Sequence, residues 1–108
     1  MDLLKSHCAP CEGGTVPLFM PEAQAMMQHV PQWQLSPDAK KISREFKVKN
    51  FLEALALANS IGALAEEEGH HPDLLVAWGK LRAELSTHAI GGLSNNDFIL
   101  AAKIDALA

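Results

Sequence analysis

Between Asn50 and Glu68 the chain is rich in Ala and Leu. At about 100° per residue Phe51, Ala54, Leu55, Ala58, Ile61, Gly62 and Ala65 fall on one face, with Ser60 and Glu67 opposite. That spacing predicts the main helix of the chain, packed on a flat partner. Asn50 offers an N-cap oxygen, and Glu53 three residues later completes a capping-box-like start. Gly69 supplies a left-handed stop, and Pro72, which has no amide hydrogen, prevents the helix from resuming. Upstream, Pro21 to Val30 opens with Pro-Glu and places Ala23, Met26, Met27 and Val30 at helical intervals, which predicts a short helix. Trp33 and Leu35 then alternate with Gln32, Gln34 and Ser36, Pro37-Asp38 marks a turn, and Ile42, Phe46 and Val48 alternate with Lys41, Ser43, Glu45 and Lys47. Period-two runs around a turn predict a hairpin.

A second hairpin is expected from Leu74–Trp78 and Leu81–His88, joined by Gly79-Lys80 as a two-residue turn. Its second strand carries Leu81, Ala83, Leu85 and Thr87 on one face and Arg82, Glu84, Ser86 and His88 on the other. After Gly91-Gly92, Ser94 and Asp97 bracket a capping box, and Phe98 to Ala108 forms a closing helix. Its Phe98–Ala102 run is apolar around most of the circumference, so burial on two sides is expected, by the sheet and by a second subunit. The resulting order is α-β-β-α-β-β-α. Strands that arrive as hairpins imply a four-stranded antiparallel sheet with the helices on one face, an α+β fold. Residues 1–20 read as a loose tail and 21–108 as a single domain.

With 108 residues, 48% of them hydrophobic, the chain supports one core without disulfide or metal staples. A net charge of −4 removes the electrostatic footprint of a phosphate-backbone binder, so no direct nucleic-acid partner is expected. The stretch from Phe51 to Ala65 is interrupted by Glu53, Asn59 and Ser60 and falls short of the ~20 apolar residues that span a bilayer. Met1 to Gly14 lacks a basic start followed by an apolar run, so the cytoplasm is the expected compartment, with Cys8 and Cys11 as thiols. Cys8-Ala-Pro-Cys11, preceded by His7, has the spacing of half a metal hook or a redox pair. A lone C-x-x-C without a second pair or a strand-helix context is a weak signal for either.

The chemistry concentrates in histidines. If the turn is Gly79-Lys80, Trp78 pairs with Leu81 and His71 lies opposite His88, which gathers His70, His71 and His88 in one place. A slip of one residue would turn His88 to the other face. Glu66 lies one turn before His70 and borders the apolar face, whereas Glu67 and Glu68 do not. A carboxylate beside an imidazole holds its tautomer and suits it to carry protons near neutral pH. A solvated histidine at a strand end is the plain alternative, and zinc is a competing one, although adjacent histidines in extended chain point apart and no H-E-x-x-H accompanies them. Ser86 and Thr87 show no strained-turn motif that would make either a nucleophile. Asp97 reads as the acidic half of its capping box, and Trp33 and Trp78 read as core.

These residues resemble the pterin-4a-carbinolamine dehydratase family, whose fingerprint is an acidic residue, three spacers, His-His-Pro, an aromatic, a later His and an Asp. Here they fall as Glu66, His70-His71-Pro72, Trp78, His88 and Asp97, and Ser86-Thr87-His88, Gly92-Leu93-Ser94 and Asn96-Asp97 are also similar. The likeness runs from about Pro21 onward, and the Cys-x-x-Cys tail is similar to that of some bacterial members. It implies dehydration of 4a-hydroxytetrahydropterin to quinonoid dihydropterin, serving pterin-dependent aromatic amino-acid hydroxylases, with no metal or organic cofactor. By the same likeness His70, His71 and His88 are catalytic with Glu66 supporting His70. Pro72, Ser86, Thr87 and Ala89 bind substrate, and Asp97 and Trp78 stand behind them. A homodimer or homotetramer is implied, and some relatives act as dimerisation cofactors of a transcription factor, so a non-catalytic pterin-binding or regulatory protein is the other reading. Gly69 departs from the small polar residue of many relatives, and Leu74 from the aromatic of vertebrate relatives.

Overall fold

The computed structural model describes residues 2–9 and 16–108. Helix α1 (Met20–Met26) runs into a 3-10 turn (Met27–His29) and is followed by strands β1 (Gln34–Leu35) and β2 (Ile42–Lys47), then helix α2 (Phe51–Glu68). Strands β3 (Asp73–Ala77) and β4 (Lys80–Leu85), a 3-10 turn (His88–Ile90) and helix α3 (Asn95–Leu107) complete the chain. The strands make one antiparallel sheet in the order β1-β2-β4-β3. This is the α+β order that the hydrophobic pattern predicts.

On the inner face of the sheet Ile42, Phe46, Leu81, Ala83 and Leu85 meet Ile61 of α2 and Phe98, Leu100 and Ile104 of α3 in one buried cluster. Arg44, also on β2, lies 4.2 Å from the centre of the Phe46 ring and pairs with Asp105 of α3 at 2.6 Å. Trp33 donates its indole N–H to the same carboxylate at 2.8 Å, so Asp105 ties the first hairpin to the last helix.

Asn50 caps α2 as expected, accepting the Glu53 N–H at 2.9 Å, while Glu53 reaches back to the Lys49 N–H at 3.2 Å. The buried stripe of α2 runs through Ala54, Ile61 and Ala65, flanked by half-buried Leu57 and Leu64. It is rotated from the expected face: Leu55 lies about 100° from Ala54 around the helix, and both it and Phe51 are exposed.

The second hairpin closes two residues away from the expected register. Ala77 pairs with Lys80, so the loop is Trp78-Gly79, with Gly79 at φ 77°. A shift of two residues leaves every side chain on its face, so alternation cannot distinguish the registers. Gly79 is tied in turn to the residue after β2, the Val48 N–H bonding its O at 3.0 Å. Trp78, expected in the core, is 74% exposed at this loop.

Residues 2–9, expected as part of a loose tail, lie against α3, with Leu3 of the 3-10 turn Leu3–Lys5 buried in the common core. This segment, α2 and the sheet side chains cover α3, and Phe98 to Ala101 are buried within the single chain. The two-sided burial expected of α3 therefore needs no second subunit.

Candidate active site

Gly69 adopts φ 68°, a left-handed conformation open to glycine at little cost, and ends α2 by reversing the chain. The next residue is drawn back by its N–H to Ala65 O at 3.2 Å, and the His70 side chain is only 11% exposed. Its Nε2 stands 2.6 Å from Oδ1 of Asp97, a carboxylate fully buried at the start of α3. The other oxygen of Asp97 accepts the Ser94 N–H at 3.0 Å and the Thr87 hydroxyl at 2.8 Å. Asp97 is thus both the acidic half of the capping box read from the sequence and the partner of His70. A carboxylate oxygen accepts, so His70 donates from Nε2 and keeps Nδ1 for proton exchange.

His71, on the extended segment before β3, is turned outward and pairs through Nε2 with Glu66. This corrects the expected pairing of Glu66 with His70. Glu66 lies about 120° from the centre of the buried stripe and Glu68 only about 40°, so Glu66 stays at the rim and Glu68, set aside in the sequence reading, turns inward.

His88 reaches the same place by another route than the expected ladder. β4 ends at Leu85, and with Asp73 opposite Glu84 the register carries Ser86, not His88, across from His71. Thr87 bridges to Gly92, N–H to O at 2.8 Å, and His88 opens the tight 3-10 turn that this bridge encloses. The bridge needs glycine on one side, because a Cβ on Gly92 would stand 2.8 Å from Cβ of Pro17.

His70, His71, His88, Ser86, Thr87 and Ala89 line one cavity of about 240 Å³, completed by Gly69, Asn96 and Ala9. All three predicted histidines are brought together. Pro72 does not line the cavity and keeps the approach to β3 extended, Glu66 acts on it through His71, and Trp78 stands apart from it at the hairpin loop.

Behind the cavity lies a group that sequence reading missed. The Glu68 side chain, 3% exposed, meets Lys103 of α3 at 2.9 Å, the Cys8 N–H at 2.9 Å and His7 at 3.2 Å. Lys103 and the backbone N–H hold its carboxyl down at about 2. Burial, with Glu68 close by, pushes the Cys8 thiol up to about 12. A buried thiol held protonated is a poor nucleophile at neutral pH. Cys11 lies outside the described residues. No helix among the described residues is long and apolar enough to cross a membrane.

The sequence model of the family described as "Pterin 4 alpha carbinolamine dehydratase" matches residues 17–107. The chain belongs to this family. Two relatives, from Methylococcus capsulatus and Halorhodospira halophila, each named "Putative pterin-4-alpha-carbinolamine dehydratase", are 50% and 47% identical to it. The first alignment covers 98% of this chain and 93% of the relative, the second 99% and 98%. The crystal structure of a "transcriptional coactivator/pterin dehydratase" from Brucella melitensis superposes with a TM-score of 0.79 at 28% identity, covering 85% of this chain and 98% of that one. A pterin dehydratase-like protein described as a RuBisCO assembly factor in the alpha-carboxysome shares the fold, with a TM-score of 0.62 at 23% identity over 74% of this chain and 93% of that one. Dehydration of a pterin carbinolamine is the chemistry for which the pterin-4a-carbinolamine dehydratase family is named.

Proposed function

We propose that this chain removes water from 4a-hydroxytetrahydropterin, giving quinonoid dihydropterin for a reductase to recycle in support of a pterin-dependent aromatic amino-acid hydroxylase in the cytoplasm. Membership of the family supports the substrate class. The observation that carries the reading is the convergence of His70, His71 and His88 on one small cavity, with His70 locked to a buried carboxylate.

In the reaction the N5 proton passes to a base and the N5 electron pair forms the N5=C4a double bond. The C4a–O bond breaks, and the hydroxyl leaves as water after accepting a proton. Both transfers are of the kind a positioned imidazole carries out as general acid or base. His70, fixed in one tautomer by Asp97, handles one proton and His88 the other, while His71, held by Glu66 at the rim, orients the ring. Ser86, Thr87 and Ala89 supply the remaining pterin contacts. The reaction takes no metal or organic cofactor.

The test generates 4a-hydroxytetrahydropterin in situ with a hydroxylase and follows its loss with and without this protein, in the presence of a chelator. Acceleration is expected, and each of His70→Ala and His88→Ala should lower it ~10²- to 10⁴-fold, the range of a single general acid or base. Full activity in His88→Ala would overturn the assignment of that histidine. No acceleration by the native chain, with a pterin still bound, would favour the non-catalytic binding or regulatory role instead.

A further inference from the structure

We propose that the N-terminal segment, through Ala9, forms one wall of the histidine cavity and sets how tightly it holds a pterin, with Asn96 as the positioning residue and the Glu68–Lys103 pair as the anchor. The proposal rests on the dehydratase reading of that cavity. Ala9 lines the cavity together with the histidines, although it stands 61 residues before His70 in the chain.

Two separate attachments put it there. Asn96, buried in the first turn of α3, accepts the Ala9 N–H on Oδ1 at 3.0 Å and donates from Nδ2 to Ala9 O at 2.6 Å. This is the reciprocal pairing of a sheet rung, and it fixes the backbone of Ala9 on both of its polar groups. One residue upstream, the Cys8 N–H is held by Glu68 at 2.9 Å, and the thiol lies 3.5 Å from Asn96 O. Glu68 is itself buried against Lys103, so the anchor joins the end of α2 to α3 beneath the segment.

The geometry links this wall to the histidine. Asn96, which seats Ala9, and Asp97, which holds His70, are consecutive residues of one helical turn. The Glu68 anchor sits two residues before His70 on the other side of Gly69. The seat and the histidine are therefore positioned by the same pair of helix ends. An amide side chain is required at position 96 because Ala9 presents one donor and one acceptor. Asparagine answers both, aspartate answers only the N–H, and alanine answers neither.

The test uses the full chain with steady-state kinetics, calorimetric titration with 7,8-dihydrobiopterin, and a thermal melt. Asn96→Ala should raise KM and the dihydrobiopterin Kd together by roughly tenfold as the wall loses its seat, a larger effect than on kcat. Asn96→Asp should fall between. Ala9→Leu, which narrows the cavity without touching the seat, should raise KM in a chain that melts as the native one does. The seat is read separately by the rate at which a disulfide reagent modifies Cys8 in a Cys11→Ser background, slow in the native seat and faster in Asn96→Ala and Glu68→Gln. An active native chain whose KM and Kd are unmoved in both Asn96→Ala and Ala9→Leu would overturn the wall while leaving the dehydratase reading in place. A native chain that neither binds nor turns over a pterin would overturn the dehydratase reading and the wall with it, and rapid modification of native Cys8 would overturn the seat.

Discussion

Asp97 concentrates more of this protein's consequences than any other side chain. Its buried carboxylate collects the Ser94 N–H, the Thr87 hydroxyl and His70. Asp97→Ala removes the acceptor shared by all of them, and the expected cost is about 3 kcal/mol of stability, measurable as a lowered denaturant midpoint, together with loss of turnover. Thr87→Val removes one donor while keeping volume, and should cost about 1 kcal/mol with His70 still paired. The S-x-x-D spacing showed Asp97 as a cap, because both halves of a capping box lie within one turn of chain. Its reach to His70 crosses 27 residues, and no local pattern carries that. Glu68 gives a pH prediction. A carboxyl held below its ordinary value stabilises the fold above the unfolded-chain pKa near 4.5, and that contribution is lost as pH falls toward about 2. Lys103 of α3, His7 and Cys8 of the N-terminal segment all face it. The protection factors of the Cys8 and Ala9 amides should therefore hold between pH 5 and 8, fall by more than global unfolding explains below about pH 4, and lose that pH dependence in Glu68→Gln.

The elements followed from periodicity and capping. Asn50, Gly69, Ser94 and Asp97 each mark a helix end where the structure has one, since caps act over three or four residues. What periodicity misjudged was rotation and register. The apolar set of α2 admitted a face centred near Phe51 and Leu55 or one centred on Ala54, Ile61 and Ala65, and packing chose the second. The β3–β4 register differs from the expected one by two residues, a shift that leaves alternation unchanged. The Thr87–Gly92 bridge that aims His88 rests on a close approach to Pro17. Gly92→Ala should cost about 1 to 3 kcal/mol, and because the bridge encloses the His88 turn it should reduce kcat as well as melting temperature.

At the scale of the whole molecule, the chain's own N-terminal segment packs on α3, where a second subunit was expected. Phe51, Leu52 and Leu55 form an exposed apolar stripe on α2, with Leu52 75% exposed. Burial of this stripe against a second copy would take its apolar surface out of water. Light scattering should find an oligomer that Leu52→Glu shifts toward monomer, while a charge at solvent-facing Ala106 of α3 leaves it unchanged. The sequence by itself determined the element order, the helix caps and the inner face of β4, because each depends on contacts within a few positions or on a period of two or 3.6. Only the tertiary structure decided that Asp97 serves His70 and Glu66 serves His71, that Glu68 is buried, that Trp78 faces solvent and that Ala9 completes the cavity. Those outcomes depend on how α2 rotates against the sheet and where the N-terminal segment lands on α3. Both are settled by the sum of many weak packing contacts between distant parts of the chain, which leave no periodic trace in the order of residues.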